Sequence, residues 1–215
     1  VIKQVTAMAA LMLTTTALHA EERGTWYVTG GIIDVSIPDN DNVSVGGVRV
    51  PGGGSEFSGD TTVALGLGYF FHENFSVLTL GGIPPETEVD GTGPLAGTPV
   101  GSLKYAPVTV YLNYHLPTKG KLKPFVGAGL VYNFTFDIQD AGITDLDVDN
   151  SFGYALRVGA EYQFDDHWGG YISYAKSFIK HTATGTAPAA LGGLPVEAKV
   201  DLDPSGIEVG VSYRF

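Results

Sequence analysis

The segment 207–215 limits the possible folds more than any other stretch of this chain. It alternates without a break: Ile207, Val209, Val211, Tyr213 and Phe215 fall on one face, and Glu208, Gly210, Ser212 and Arg214 on the other. A period of two marks a β-strand with one apolar and one polar side. A soluble domain seldom closes on such a strand with an aromatic tip. Bacterial outer-membrane barrels commonly do, because the last strand closes the barrel and its apolar side meets lipid. In those proteins the terminal aromatics, here Tyr213 and Phe215, belong to the signal read by the barrel assembly machinery. The chain is therefore expected in a membrane.

No run of about 18 or more apolar residues occurs, so no transmembrane helix is available. A membrane reading then requires a closed β-barrel, the other structure that satisfies every backbone N–H and C=O in lipid. Composition agrees: 30 glycines and 11 tyrosines accompany two methionines and no cysteine. The length of 215 residues suits one domain. A formal charge of −11 disfavours nucleic acid as a partner and reads as solvated acidic loops. The absence of cysteine fits an oxidising envelope compartment.

Residues 1–20 read as a secretory signal: Lys3 is the charged start, 7–13 an apolar centre, and Leu18-His19-Ala20 a cleavage site. Because the sequence opens on Val1, the charged start is expected to be longer than shown. Cleavage after Ala20 leaves 21–215 as the barrel.

Seven further segments share the period of two, which makes eight. The first spans 24–37, the second 61–71, and the third 75–83, which is apolar on both faces. The fourth ends at Leu116 with Val108, Val110, Leu112 and Tyr114 in phase. The fifth starts near Leu122, and the sixth and seventh span 152–164 and 168–178. Short connections (72–74, 117–121, 165–167) alternate with long ones (38–60, 84–106, 137–151, 180–205). The predicted fold is an eight-stranded antiparallel transmembrane β-barrel with short periplasmic turns and long extracellular loops. Residues 140–145 are expected to form a helical turn. The long loops, rich in Gly, Pro and Asp, are expected to be mobile in part.

Aromatics gather beside the short turns: Trp26 and Tyr27, Phe71 and Phe75, Tyr114 and Phe125, Phe164 and Trp168, Tyr213 and Phe215. They suit a headgroup-level girdle; the competing reading is the aromatic core of a soluble sandwich. Arg157, Glu161, Glu208 and Arg214 fall inward by phase. Buried charge needs partners, so these four either form a polar plug or simply fill the barrel. Gly66, Gly68, Gly127, Gly129 and Gly159 also fall inward; they make room in the lumen or relieve crowding where strands curl. Pro84, Pro85 and Pro107 stand at loop edges of the third and fourth segments. Each removes a ladder donor, opening a lateral gap or merely ending a strand.

The blocks Lys123-Pro124-Phe125-Val126-Gly127-Ala128-Gly129, residues 142–153, Val158-Gly159-Ala160-Glu161-Tyr162 and Leu202-Asp203-Pro204 resemble the OmpW family of small outer-membrane proteins, which includes the AlkL-type uptake barrels. Ala106-Pro107-Val108-Thr109 sits where that family usually carries Leu-Pro-Pro-Thr. The resemblance runs from about residue 24 to residue 215. It implies a narrow, largely apolar pocket that admits small hydrophobic solutes from outside and releases them sideways into the outer membrane. It implies that Leu80 helps close the pocket. A large pocket-closing aromatic of the family aligns with Ala175 here, so the constriction is looser or Tyr171 substitutes for it. Outer-membrane lipids and lipopolysaccharide are the implied surroundings.

An eight-stranded lumen holds side chains or one small ligand, not a wide aqueous pore. The alternative to transport is a structural or adhesive barrel acting through its loops. No enzyme is expected: the histidines at 19, 72, 115, 167 and 181 show no triad spacing. No zinc spacing occurs. Asp145, Asp147 and Asp149 resemble the start of a calcium loop, but Asn150 and Leu156 replace its glycine and its bidentate Glu. No cofactor is expected.

Overall fold

The computed structural model describes residues 23–215, apart from 40–42, 85, 98, 142 and 188–191. The expected signal segment and Pro85 lie outside the described residues. Fourteen strands follow in order: β1 (Trp26–Ser36), β2 (Val43–Val45), β3 (Val48–Arg49), β4 (Gly54–Phe57), β5 (Asp60–His72), β6 (Phe75–Gly82), β7 (Glu86–Thr92), β8 (Pro99–His115), β9 (Leu122–Asp140), β10 (Thr144–Val148), β11 (Ser151–Gln163), β12 (Trp168–Thr186), β13 (Pro195–Leu202) and β14 (Ser205–Arg214). Eight of them, β1, β5, β6, β8, β9, β11, β12 and β14, form a closed antiparallel ring. The first and last strands meet, with Tyr27 opposite Arg214 and Ser36 opposite Ser205. The fold is thus the expected barrel.

Facing follows the period of two. In β14, Val209 is 56% exposed while Glu208 is 2% exposed. Leu65 and Leu67 of β5, Leu112 of β8, Leu130 of β9, Leu156 and Val158 of β11 and Ile172 of β12 are likewise turned outward. Such a belt of large apolar side chains suits acyl chains rather than water.

Most aromatics at the short-turn end join this outer face. Trp26 lies 4.8 Å from Tyr69, Phe75 lies 5.1 Å from Tyr114 and Trp168 lies 4.9 Å from Tyr213 between ring centroids. Tyr27 and Phe125 do not belong to the girdle. Each is buried in the lumen, because each sits one residue out of phase with an outward neighbour, Trp26 or Val126. The turn 164–167 is held by Asp165, whose carboxylate accepts the backbone N–H of Trp168 (2.7 Å) and of His167 (2.8 Å). Those N–H groups hold its carboxyl below the usual range.

The described parts of the long loops are largely β-structure. β8, β9 and β12 run past the wall, and their free edges recruit the loops. β7 pairs with β8, and β4 with β7. β10 and β13 flank the outer end of β12, and β2 and β3 follow. Among the described residues of 140–145 the expected helical turn is not formed. Asp140 instead accepts the N–H groups of Asp145 (2.8 Å) and Leu146 (3.1 Å) and starts β10. An exposed ion pair, Lys104–Asp137 at 2.7 Å, ties β8 to β9 there.

Candidate functional site: the barrel lumen

The periplasmic half of the lumen holds two buried ion pairs. Arg157 pairs with Glu208 at 2.9 Å, and Arg214 with Glu161 at 2.9 Å. All four are buried. They come from β11 and β14, which both pair with β12. Further donors complete the network. The Tyr171 hydroxyl donates to Glu208 (2.5 Å), the Ser212 hydroxyl donates to Glu161, and Arg157 donates to Ser173 (3.1 and 3.0 Å). The Arg157 guanidinium lies 5.1 Å from the Phe125 ring centroid and 5.7 Å from those of Tyr111 and Tyr171. Charges this deep persist only with such partners.

The inward glycines serve these side chains. A Cβ on Gly68 would lie 2.1 Å from the Tyr27 ring, and one on Gly127 would lie 2.2 Å from Asn113 Oδ1. Neighbouring side chains occupy the space these glycines leave.

Above this network the filling changes. A cavity of about 240 Å³ begins over Glu208 and Tyr111 and rises to Val43, Ile143 and Ala187. Its wall is mainly aliphatic, with Ile33, Val35, Leu146 and Ile179 among its members. It is smaller than the roughly 300–1,000 Å³ of drug-sized sites, so it suits a small ligand. Leu80 and Ala175 line it. Leu80 also packs on the core of Tyr27, Phe70, Leu78, Tyr111 and Ala155. Tyr171 is not among the lining residues; its hydroxyl donates to Glu208 at the base of the cavity. Phe57 of β4 lies in the wall, and so do the rings of Tyr105 and Tyr111 of β8, which sequence reasoning missed. Their signal was available: both are out of phase with Val108, Val110, Leu112 and Tyr114.

The wall of this cavity is interrupted on one side. Register pairs between β6 and β8 end at Leu80–Thr109, and those between β7 and β8 begin at Glu86–Lys104. Among the described residues, Gly81, Gly82, Ile83 and Pro84 have no register partner in β8; Ile83 bonds back to Val63 of β5 at 3.0 Å. Pro84 and Pro107 both line the cavity at this interruption. A Cβ on Gly81 would meet nothing within 4 Å.

Ser76 meets His115 Nε2 at 2.9 Å, but both are buried and His115 Nδ1 has no partner. Among the described residues no group of three His or acidic side chains is placed to hold a metal. Asp145 and Asp147 lie in β10, not in a calcium-type loop.

The OmpW family model matches residues 22–215. The dibenzothiophene metabolism operon protein PahQ of Pseudomonas aeruginosa is 33% identical over 194 residues, 90% of each chain. Outer membrane protein AlkL of Ectopseudomonas oleovorans is 27% identical over 195 residues, 90% of this chain and 83% of that one. The crystal structure of outer membrane protein OprG from Pseudomonas aeruginosa superposes with a TM-score of 0.85 at 25% identity, covering 93% of this chain and 99% of that one.

Proposed function

This chain belongs to the OmpW family and is a barrel of the bacterial outer membrane, and from that premise we propose that it lets small hydrophobic molecules pass lipopolysaccharide and releases them sideways into the bilayer. One observation carries the reading: the apolar cavity is continuous with the interruption between β6 and β8, and paired charges close it below.

Lipopolysaccharide is a polar, cross-linked layer that hinders apolar solutes. Behind the loops the cavity offers them an apolar surface. Moving on through the lumen would bring the solute against Arg157, Glu208 and the network beneath them, where it would break charge-assisted bonds and offer nothing in return. The interruption at 81–84 leads instead toward acyl chains, at no such cost. Passage is downhill and needs neither cofactor nor catalytic group. The name of PahQ links that relative to dibenzothiophene, an apolar aromatic, which agrees in chemistry. Insertion by the barrel assembly machinery would read Tyr213 and Phe215. A purely structural or adhesive barrel would have no use for an apolar cavity opening sideways.

The test compares uptake of an alkane or an apolar aromatic by cells with and without the protein. Faster uptake with the protein is expected. Equal rates would remove the transport reading and leave the fold untouched.

A further inference from the structure

We propose that the cavity selects neutral amphipathic molecules, an apolar body bearing one hydroxyl or carbonyl, over both plain hydrocarbons and ions. This deepens the uptake reading and rests on it.

The observation is a cluster of buried polar atoms, two of them without a partner, in a mainly aliphatic wall. Asn133 Oδ1 and Thr135 Oγ1 are buried and lack a hydrogen-bond partner, Thr87 Oγ1 and the Tyr105 hydroxyl are buried against each other, and all four belong to residues that line the cavity. Thr87, Asn133 and Tyr105 are 2%, 4% and 9% exposed. They form one patch on three adjacent strands. Tyr105 of β8 is the register partner of Thr135 of β9, and Asn133 is the next inward residue along β9. Thr87 of β7 is opposite Leu103, two residues from Tyr105. The patch borders the wall interruption at Pro107, the register partner of Asn133.

The orientation of Asn133 follows from its neighbours. His181 Nδ1 lies 2.9 Å from the Asp149 carbonyl and must donate to it, so in neutral His181 the Nε2 is an acceptor. The Asn133 Nδ2 at 3.2 Å donates to that nitrogen. Asn133 Oδ1 is then left as a free acceptor, suited to a ligand hydroxyl. The Tyr105 and Thr135 hydroxyls can donate to a ligand oxygen. A hydrocarbon would leave Asn133 Oδ1 and Thr135 Oγ1 unpaired, a costly state for buried polar atoms, and sites of this kind discriminate against analogues lacking the polar group. Charge is refused for a separate reason. Among the described lining residues Glu208 and His181 are the only acidic or basic side chains; Arg157 already pairs with Glu208, and both His181 ring nitrogens are engaged by the Asp149 carbonyl and Asn133. A carboxylate or ammonium ligand would find no free counter-charge.

The experiment uses naphthalene, 2-naphthol and 2-naphthoate as matched probes. Uptake is compared in cells carrying the native chain and the variant Tyr105→Phe, Asn133→Leu, Thr135→Val. The native chain should accelerate 2-naphthol most and 2-naphthoate not at all. The variant should slow 2-naphthol about tenfold, the scale of one or two lost hydrogen bonds, and leave naphthalene unchanged or faster. As a guard against misfolding, 2-naphthol is titrated onto Tyr105→Phe alone in lipid nanodiscs, where several-fold weaker binding is expected. Equal effects of the variant on both neutral probes, together with unchanged nanodisc binding, would overturn the selectivity and leave the uptake reading standing. No acceleration of any probe by the native chain would overturn both.

Discussion

Below Tyr111 the lumen is packed with two ion pairs and their hydroxyl partners; above it the same eight strands enclose a cavity of about 240 Å³ lined mainly by aliphatic groups. The wall is built alike in both halves, with mostly apolar residues outward. What differs is the filling. In the lower half, inward glycines such as Gly68 and Gly127 admit neighbouring side chains, and long charged groups meet across β11, β12 and β14. In the upper half the inward residues are mainly short aliphatics with a few polar and aromatic side chains, and among the described residues Gly81 to Pro84 have no register partner in β8. One barrel thus holds a lower compartment filled by paired charges and an upper one with a cavity, and the contrast follows from side-chain length and charge, not from strand number.

The comparison breaks most visibly if the lower half is emptied. Arg157→Ala with Arg214→Ala leaves Glu208 and Glu161 buried without their partners. Breaking a buried pair in this way costs about 3–5 kcal/mol, and two neighbouring losses need not add. Unfolding in detergent should occur at clearly lower denaturant, and folded variant in planar bilayers should show ion conductance absent from the native chain. Unchanged conductance would mean that the lower half owes its seal to something other than these pairs.

The smallest effect is expected at Asp165, outside both compartments. Its folded carboxyl is held below the usual value of 3.8 by two backbone N–H groups. The turn contacts are fully present above that unfolded value and are lost as pH falls through the lower folded one. Asp165→Asn should remove this acid-side titration of the His167 and Trp168 amides, followed by NMR, while uptake and conductance stay as in the native chain. A change in either function would extend the lower compartment into the turn.

Facing was readable in the sequence wherever a strand alternates, because a period of two leaves no choice of side once one face meets lipid. That is why Glu208 and Val209 can be told apart without coordinates. Pairing was not readable. Arg157 meets Glu208 rather than Glu161 because of strand stagger around a closed ring, which one sequence does not encode locally. Tyr27 and Phe125 look like girdle residues by position along the chain, and only phase removes them. The loop strands were hidden because Gly, Pro and Asp break periodicity; β7 and β10 form on edges supplied by β8 and β12. The patch of Thr87, Tyr105, Asn133 and Thr135 spans a loop strand and two wall strands, so no single stretch announces it.

The central claim is sideways release through the interruption between β6 and β8. Extending the β6–β8 register places Gly81 opposite Val108, and the native chain has no cysteine. Gly81→Cys with Val108→Cys therefore allows the interruption to be bridged by a short thiol-reactive cross-linker with a cleavable centre. Uptake of an apolar aromatic should stop on cross-linking and return on cleavage, with the barrel folded throughout. Uptake that continues unchanged across the bridged wall would contradict the account.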